Sequence, residues 1–120
     1  MAIHALRSDE HYAQVLARHE PVILFKHSTT CGASFLALQA VLAFARQRAD
    51  TPIFLIDVIQ QRPLSESIAR ALSITHESPQ VILVHHGRAV WSASRGGVSV
   101  EGLIDATERT CEPLDARASA

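Results

Sequence analysis

Several residue types are scarce in this sequence, and each scarcity excludes something. Only two cysteines occur in 120 residues, Cys31 and Cys111, too few and too far apart for a secreted disulfide framework or a four-ligand zinc site. No apolar run approaches the roughly 20 residues that cross a bilayer. Arg7, Asp9 and Glu10 stand where a signal peptide needs its apolar stretch. Twelve acidic and eleven basic residues nearly cancel, at a net charge of -1, and no basic cluster supplies the footprint of a nucleic-acid binder. The expectation is a cytoplasmic protein with free thiols and neither a membrane nor a nucleic acid as partner. Lysine is the rarest cation: ten of the eleven are arginine, which leaves Lys26 alone.

The 48% of residues that are hydrophobic are enough for one core in a chain of this length. A single domain is expected over residues 1–112, with 113–120 as a loose C-terminal tail. Ser8 is positioned to cap a helix through Tyr12, Val15 and Leu16 that ends before Pro21. Val22 to Phe25 is an unbroken apolar strand, Ser28 to Gly32 a turn, and Phe35, Leu38, Val41, Leu42 and Ala45 mark the buried stripe of a second helix. Pro52 opens the strand Ile53 to Ile56, and Ser65 is read as the cap of a short helix carrying Ile68, Ala69 and Leu72. Val81 to Val84 and Ala89 to Ala93 form a hairpin across His86-Gly87, Gly96-Gly97 breaks it, and Val100, Leu103, Ile104 and Thr107 trace a last helix.

The order α-β-α-β-α-β-β-α predicts an α/β fold with a four-stranded mixed sheet flanked by helices, the thioredoxin-like arrangement. Specific residues carry that likeness further. Ser78-Pro79-Gln80 leads directly into an apolar strand and a glycine hairpin, and resembles the cis-proline loop of thioredoxins and glutaredoxins. Phe25-Lys26-His27-Ser28-Thr29-Thr30-Cys31, Arg62-Pro63-Leu64-Ser65 and His76-Glu77-Ser78-Pro79-Gln80 together resemble the monothiol bacilliredoxin family of the bacillithiol system, over about residues 8–108. Members of that family commonly have proline after the cysteine, where this chain has Gly32. The string Cys31-Gly32-Ala33-Ser34 is also close to the Cys-Gly-Phe-Ser motif of monothiol glutaredoxins.

A cysteine at a helix N-terminus faces unpaired N–H groups and the positive end of the helix dipole, which favour the thiolate, the nucleophilic form. Cys31 is therefore the expected catalytic residue. A dithiol enzyme has its resolving cysteine three positions on, and here that position is Ser34, so the resolving thiol comes from outside the chain. Cys111 is placed on the order of 15–20 Å away, because the last helix runs from the Gly96-Gly97 end at about 1.5 Å per residue. The resemblance implies removal of a bacillithiol-like thiol from protein mixed disulfides, with Thr30, Gly32, Ser34, Ser78 and Pro79 against the ligand. Ser78 then offers its backbone N–H and C=O to the incoming chain. S-thiolated proteins and a low-molecular-weight thiol are the implied partners, and no resident cofactor is expected.

His27 either lends positive charge to the thiolate or caps the turn. Lys26 is expected to pair with Asp57 as a structural ion pair, Trp91 to cover core, and His85-His86 to end a hairpin, with no metal bound. Two other function classes stay open. One is a carrier in which Cys31 and a small thiol from each of two subunits hold a [2Fe-2S] cluster. The other is a redox-inert binding module that keeps only the fold.

Overall fold

The computed structural model describes residues 3–30 and 32–110. Cys31, Cys111 and the expected boundary between 112 and 113 lie outside the described residues. The described residues build five strands, four α-helices and a single 3-10 turn at Arg95–Gly97: β1 Ile3–Ala5, α1 Asp9–Leu16, β2 Val22–His27, α2 Gly32–Gln47, β3 Ile53–Asp57, α3 Arg62–Leu72, β4 Gln80–His85, β5 Arg88–Ser94 and α4 Val100–Thr110. The sheet order is β1-β3-β2-β4-β5. β1, β3 and β2 run parallel, while β4 is antiparallel to both β2 and β5.

The sheet therefore has five strands instead of the expected four, and the element order gains a leading strand. β1 is held by backbone pairing, Ile3 against Ile53 and Ala5 against Leu55. Leu6 then turns into the core, with its N–H donating to the Leu55 carbonyl at 2.8 Å. His4 and Ala5 are exposed, so the strand carries no alternating apolar pattern to betray it.

Alternation along β2 sends side chains to two separate cores. Ile23 and Phe25 pack with Val81 and Leu83 beneath Val41 and Phe44 of α2 and Leu103 of α4. Val22 and Leu24 pack with Ile82 and Val84 beneath Tyr12 and Val15 of α1 and Leu64 and Ile68 of α3. Strands buried on both faces are why Val22–Phe25 and Val81–Val84 read as continuous apolar runs.

Local signals behave as their chemistry dictates in most places. Ser8 caps α1, its hydroxyl oxygen accepting from the His11 N–H at 3.0 Å. His86 and Gly87 both adopt positive φ, 54° and 75°, the two-residue turn that matches strand twist. Trp91 packs against the core under α4, its ring 3.5 Å from where a Cβ on Gly102 would lie, as core cover.

Two helices differ from expectation. α3 begins at Arg62, with Pro63 in its first turn where a missing N–H costs nothing. Ser65 is fully buried within that helix and is not its cap. In α2 the buried residues are Ser34, Ala37, Val41, Phe44 and Ala45, whereas Phe35 is 59% exposed. Val41 and Ala45 are buried as expected and Leu38 packs on the core partly buried, whereas at the start of the helix Ser34 and Ala37 take the inward positions in place of Phe35.

Candidate active site

The antiparallel pairing of β2 with β4 assembles the site. Lys26 lies opposite Gln80, so the C-terminal end of β2 and the segment preceding β4 meet at one pole of the sheet. From β2 the chain passes through His27 to the turn Ser28–Thr30, and Cys31 immediately precedes Gly32, the first residue of α2. From the other side arrive Ser78 and Pro79, joined by a cis peptide bond, with Pro79 buried. His27, Thr30, Gly32, Ser34, Ser78 and Pro79 thus lie at the ends of β2 and β4 that meet at this pole.

The turn ahead of Cys31 is tied from below. Ser34 is fully buried, and its hydroxyl oxygen accepts from the Ser28 N–H at 3.1 Å. It was expected against the ligand; instead its lack of exposed surface makes it a tie for the turn. The Ser28 and Thr30 hydroxyls share a hydrogen bond of 3.2 Å, and the Thr30 N–H reaches the Ser28 hydroxyl at 3.4 Å. Thr30 and Gly32 are both exposed. A Cβ on Gly32 would meet nothing within 4 Å, so the proline of the family pattern is not excluded by space.

His27 is half-buried, and burial holds its imidazole below the ordinary histidine pKa; Asp57, opposite it on β3, pulls the other way without prevailing. The ring is therefore mainly neutral at pH 7. Its Nδ1 and the hydroxyl of Ser78 are buried polar atoms without a hydrogen-bond partner among the described residues, and both belong to this pole.

Lys26 is not paired with Asp57. The register sets Lys26 opposite Ile56 and His27 opposite Asp57, so alternation along the strands turns the two side chains to opposite faces. Asp57 accepts instead from the N–H groups of Ile59 and Gln60, at 2.9 and 3.0 Å, and closes the turn after β3. The Lys26 amine, fully buried, donates to the Ser65 carbonyl at 3.0 Å and to His76 Nδ1 at 3.1 Å. Burial pushes its pKa down to about 8.

Sequence reasoning missed two further features of this pole. His76 appears in the sequence only as part of a motif, yet it is the contact through which the segment before Pro79 reaches Lys26; its pKa is lowered by burial and then by the charges of Lys26 and Arg62, against Glu66. Phe35 and Leu36, 59% and 70% exposed at the start of α2, are apolar surface beside Cys31 in the chain, and Ile59 is 53% exposed just beyond β3. No group of three or more metal-ligating side chains occurs among the described residues, and no described helix is long and apolar enough to cross a membrane.

This sheet, its parallel crossover and its cis-prolyl loop are those of the thioredoxin-like class of thiol–disulfide oxidoreductases. A thioredoxin-fold protein proposed as an oxidoreductase is 32% identical, with a TM-score of 0.82 over 88% of this chain and 93% of that one. A mutant thioredoxin from Halobacterium salinarum NRC-1 shares the fold at 19% identity, with a TM-score of 0.77 and 93% of each chain covered. Thioredoxin NaTrxh from Nicotiana alata does so at 15%, with a TM-score of 0.75 over 92% of this chain and 94% of its own. Residues 4–103 match the profile of the monothiol bacilliredoxin BrxC, and the chain belongs to that family.

Proposed function

We propose that the protein removes a bacillithiol-like thiol from protein mixed disulfides, with Cys31 as nucleophile. The observation that carries this reading is the meeting of two segments at one pole: the β2–α2 turn that holds Cys31 and the cis-prolyl segment that precedes β4. Membership of the monothiol bacilliredoxin family supports it.

The Cys31 thiolate attacks the small thiol's sulfur in the mixed disulfide. A Cys31–small-thiol disulfide forms, and the partner protein leaves as a thiolate that takes up a proton from water. A second small-thiol molecule, as thiolate, then attacks the small thiol's sulfur on Cys31. The products are the symmetric small-molecule disulfide and regenerated Cys31 thiolate, so the chain undergoes no net oxidation. Ser34, where a dithiol enzyme keeps its second sulfur, ensures that resolution is external.

The partner lies along Ser78, whose N–H and C=O pair with it as a strand edge does, while Phe35, Leu36 and Ile59 give it apolar surface to cover. Thr30 and Gly32 flank Cys31 in the chain, and their N–H groups are the proposed donors to the small thiol. No resident cofactor takes part. His27 acts as a neutral hydrogen-bonding group rather than as a charge.

Parallel assays on one carrier protein, S-thiolated with bacillithiol or with glutathione, test the reading by the rate at which the protein thiol is released. Release from the bacillithiol adduct, at least about tenfold faster than from the glutathione adduct, is expected, a preference of about 1.4 kcal/mol. Equal or reversed rates reject the assignment of the small thiol; no release from either rejects the activity.

A further inference from the structure

Lys26 is the one lysine of the sequence and is fully buried, yet the transfer chemistry makes no use of it. Burying an ammonium is costly unless its protons are taken up. Here the amine joins two elements, donating to the Ser65 carbonyl on α3 and to Nδ1 of His76. The Ser65 hydroxyl lies 3.3 Å from the same Nδ1. Two residues beyond His76 is Ser78, the residue to which the partner chain would pair.

The loop that carries Ser78 has further ties, among them the Arg95 N–H donating to the Pro79 carbonyl at 2.9 Å. The Gln80 side chain donates to the Thr75 carbonyl at 3.1 Å. The Ser94 hydroxyl donates to Glu77 at 2.6 Å, and Arg95 approaches the same carboxylate at 3.7 Å. Arg95 is 71% exposed, so water weakens that ion pair. The lysine tie is dry at its donor, and charge-assisted hydrogen bonds are the stronger kind in such a setting.

We propose that Lys26 is a positioning residue for the transfer reaction: by holding His76 against α3 it fixes the loop that carries Ser78, and thereby sets how well a protein partner docks. Its influence falls on docking rather than on the reactivity of Cys31, because Lys26 points to the face covered by α1 and α3 while the helix that Cys31 precedes packs on the other. The inference rests on the reading of function given above.

Steady-state transfer from an S-bacillithiolated protein, measured for wild type, Lys26→Met and His76→Ala, tests it alongside alkylation of Cys31 by iodoacetamide across pH. Both variants should raise KM by about tenfold, the scale of one lost hydrogen bond to a charged group, and leave kcat within about twofold. The alkylation profile should superimpose on that of wild type. Unchanged KM in both variants overturns the proposal, as does slowed alkylation with intact KM, which would tie Lys26 to the thiolate instead. Should Lys26→Met fail to fold, His76→Ala decides alone, since that side chain is at the surface. A wild type without transfer activity refutes the functional reading and the positioning role together, whereas an active wild type with unmoved variants refutes only the positioning role.

Discussion

Replacing Lys26 by methionine should leave the fold as stable as before or more so, although the side chain lies fully buried and makes two hydrogen bonds. The lysine pKa falls from 10.5 to about 8 on folding. At 1.36 kcal/mol per pH unit, keeping the amine charged at pH 7 costs about 3 kcal/mol. Methionine is of similar length, is apolar, and removes that cost. Against it stand the hydrogen bond from the charged amine to the Ser65 carbonyl, worth about 1.5–3 kcal/mol, and the one to His76. His76 is at the surface, where water can replace the lost donor. The expected change at pH 7 is therefore a gain of about 0–2 kcal/mol in unfolding free energy.

The pH dependence provides a sharper check. Between pH 8 and 10.5 the folded amine binds fewer protons than the unfolded one, so wild-type stability contributed by Lys26 rises with pH through this window. From pH 7 to 9.5 the penalty falls by about 2 kcal/mol, and the advantage of methionine should shrink by that amount. Burial raises the Tyr12 pKa, but that contribution is common to both proteins and cancels in their difference. Urea denaturation of the two proteins at both pH values measures it. A Lys26→Met protein destabilised by about 3 kcal/mol or more at pH 7, the loss that follows removal of one partner from a buried pair, would refute the reasoning.

Three other outcomes are expected. Ser34→Ala leaves the Ser28 N–H without its acceptor in a fully buried place and should cost about 1–3 kcal/mol in urea denaturation; a change near zero would show that the hydroxyl does not tie the turn. Gly32→Pro meets open space and should raise stability by about 0.4–1 kcal/mol while leaving the thiolate absorbance titration of Cys31 unimproved. Cys31→Ser should abolish release of the small thiol and Cys111→Ser should leave it nearly unchanged; activity lost in the Cys111 variant alone would contradict the monothiol scheme.

Much of this architecture is legible from side-chain pattern, because β2 and β4 are buried on both faces and α1 announces its own cap at Ser8. The features that escape notice are those in which the backbone or the register decides. β1 is three residues joined to β3 by main-chain pairing, with His4 and Ala5 facing solvent, and leaves no trace in hydropathy. Only the start of the α2 stripe is misread, because a buried serine reads as polar surface until its acceptor role for Ser28 is seen. Lys26 and Asp57 look like an ion pair when only strand ends are compared. The pairing of Asp57 with His27 sends them to opposite faces, and nothing in the sequence encodes that register. His76 is legible as a motif residue, but its bond to Lys26 spans 50 positions and exists only once α3 and β2 have packed.

Intact-mass analysis of the protein mixed with a bacillithiol-modified partner, quenched with acid before free bacillithiol is added, bears most directly on Cys31 as the acceptor of the small thiol. The account predicts a single bacillithiol adduct, mapped to Cys31 by peptide analysis, with an equal amount of partner thiol released and no adduct in Cys31→Ser. A partner that stays modified, or an adduct that persists in Cys31→Ser, would contradict it.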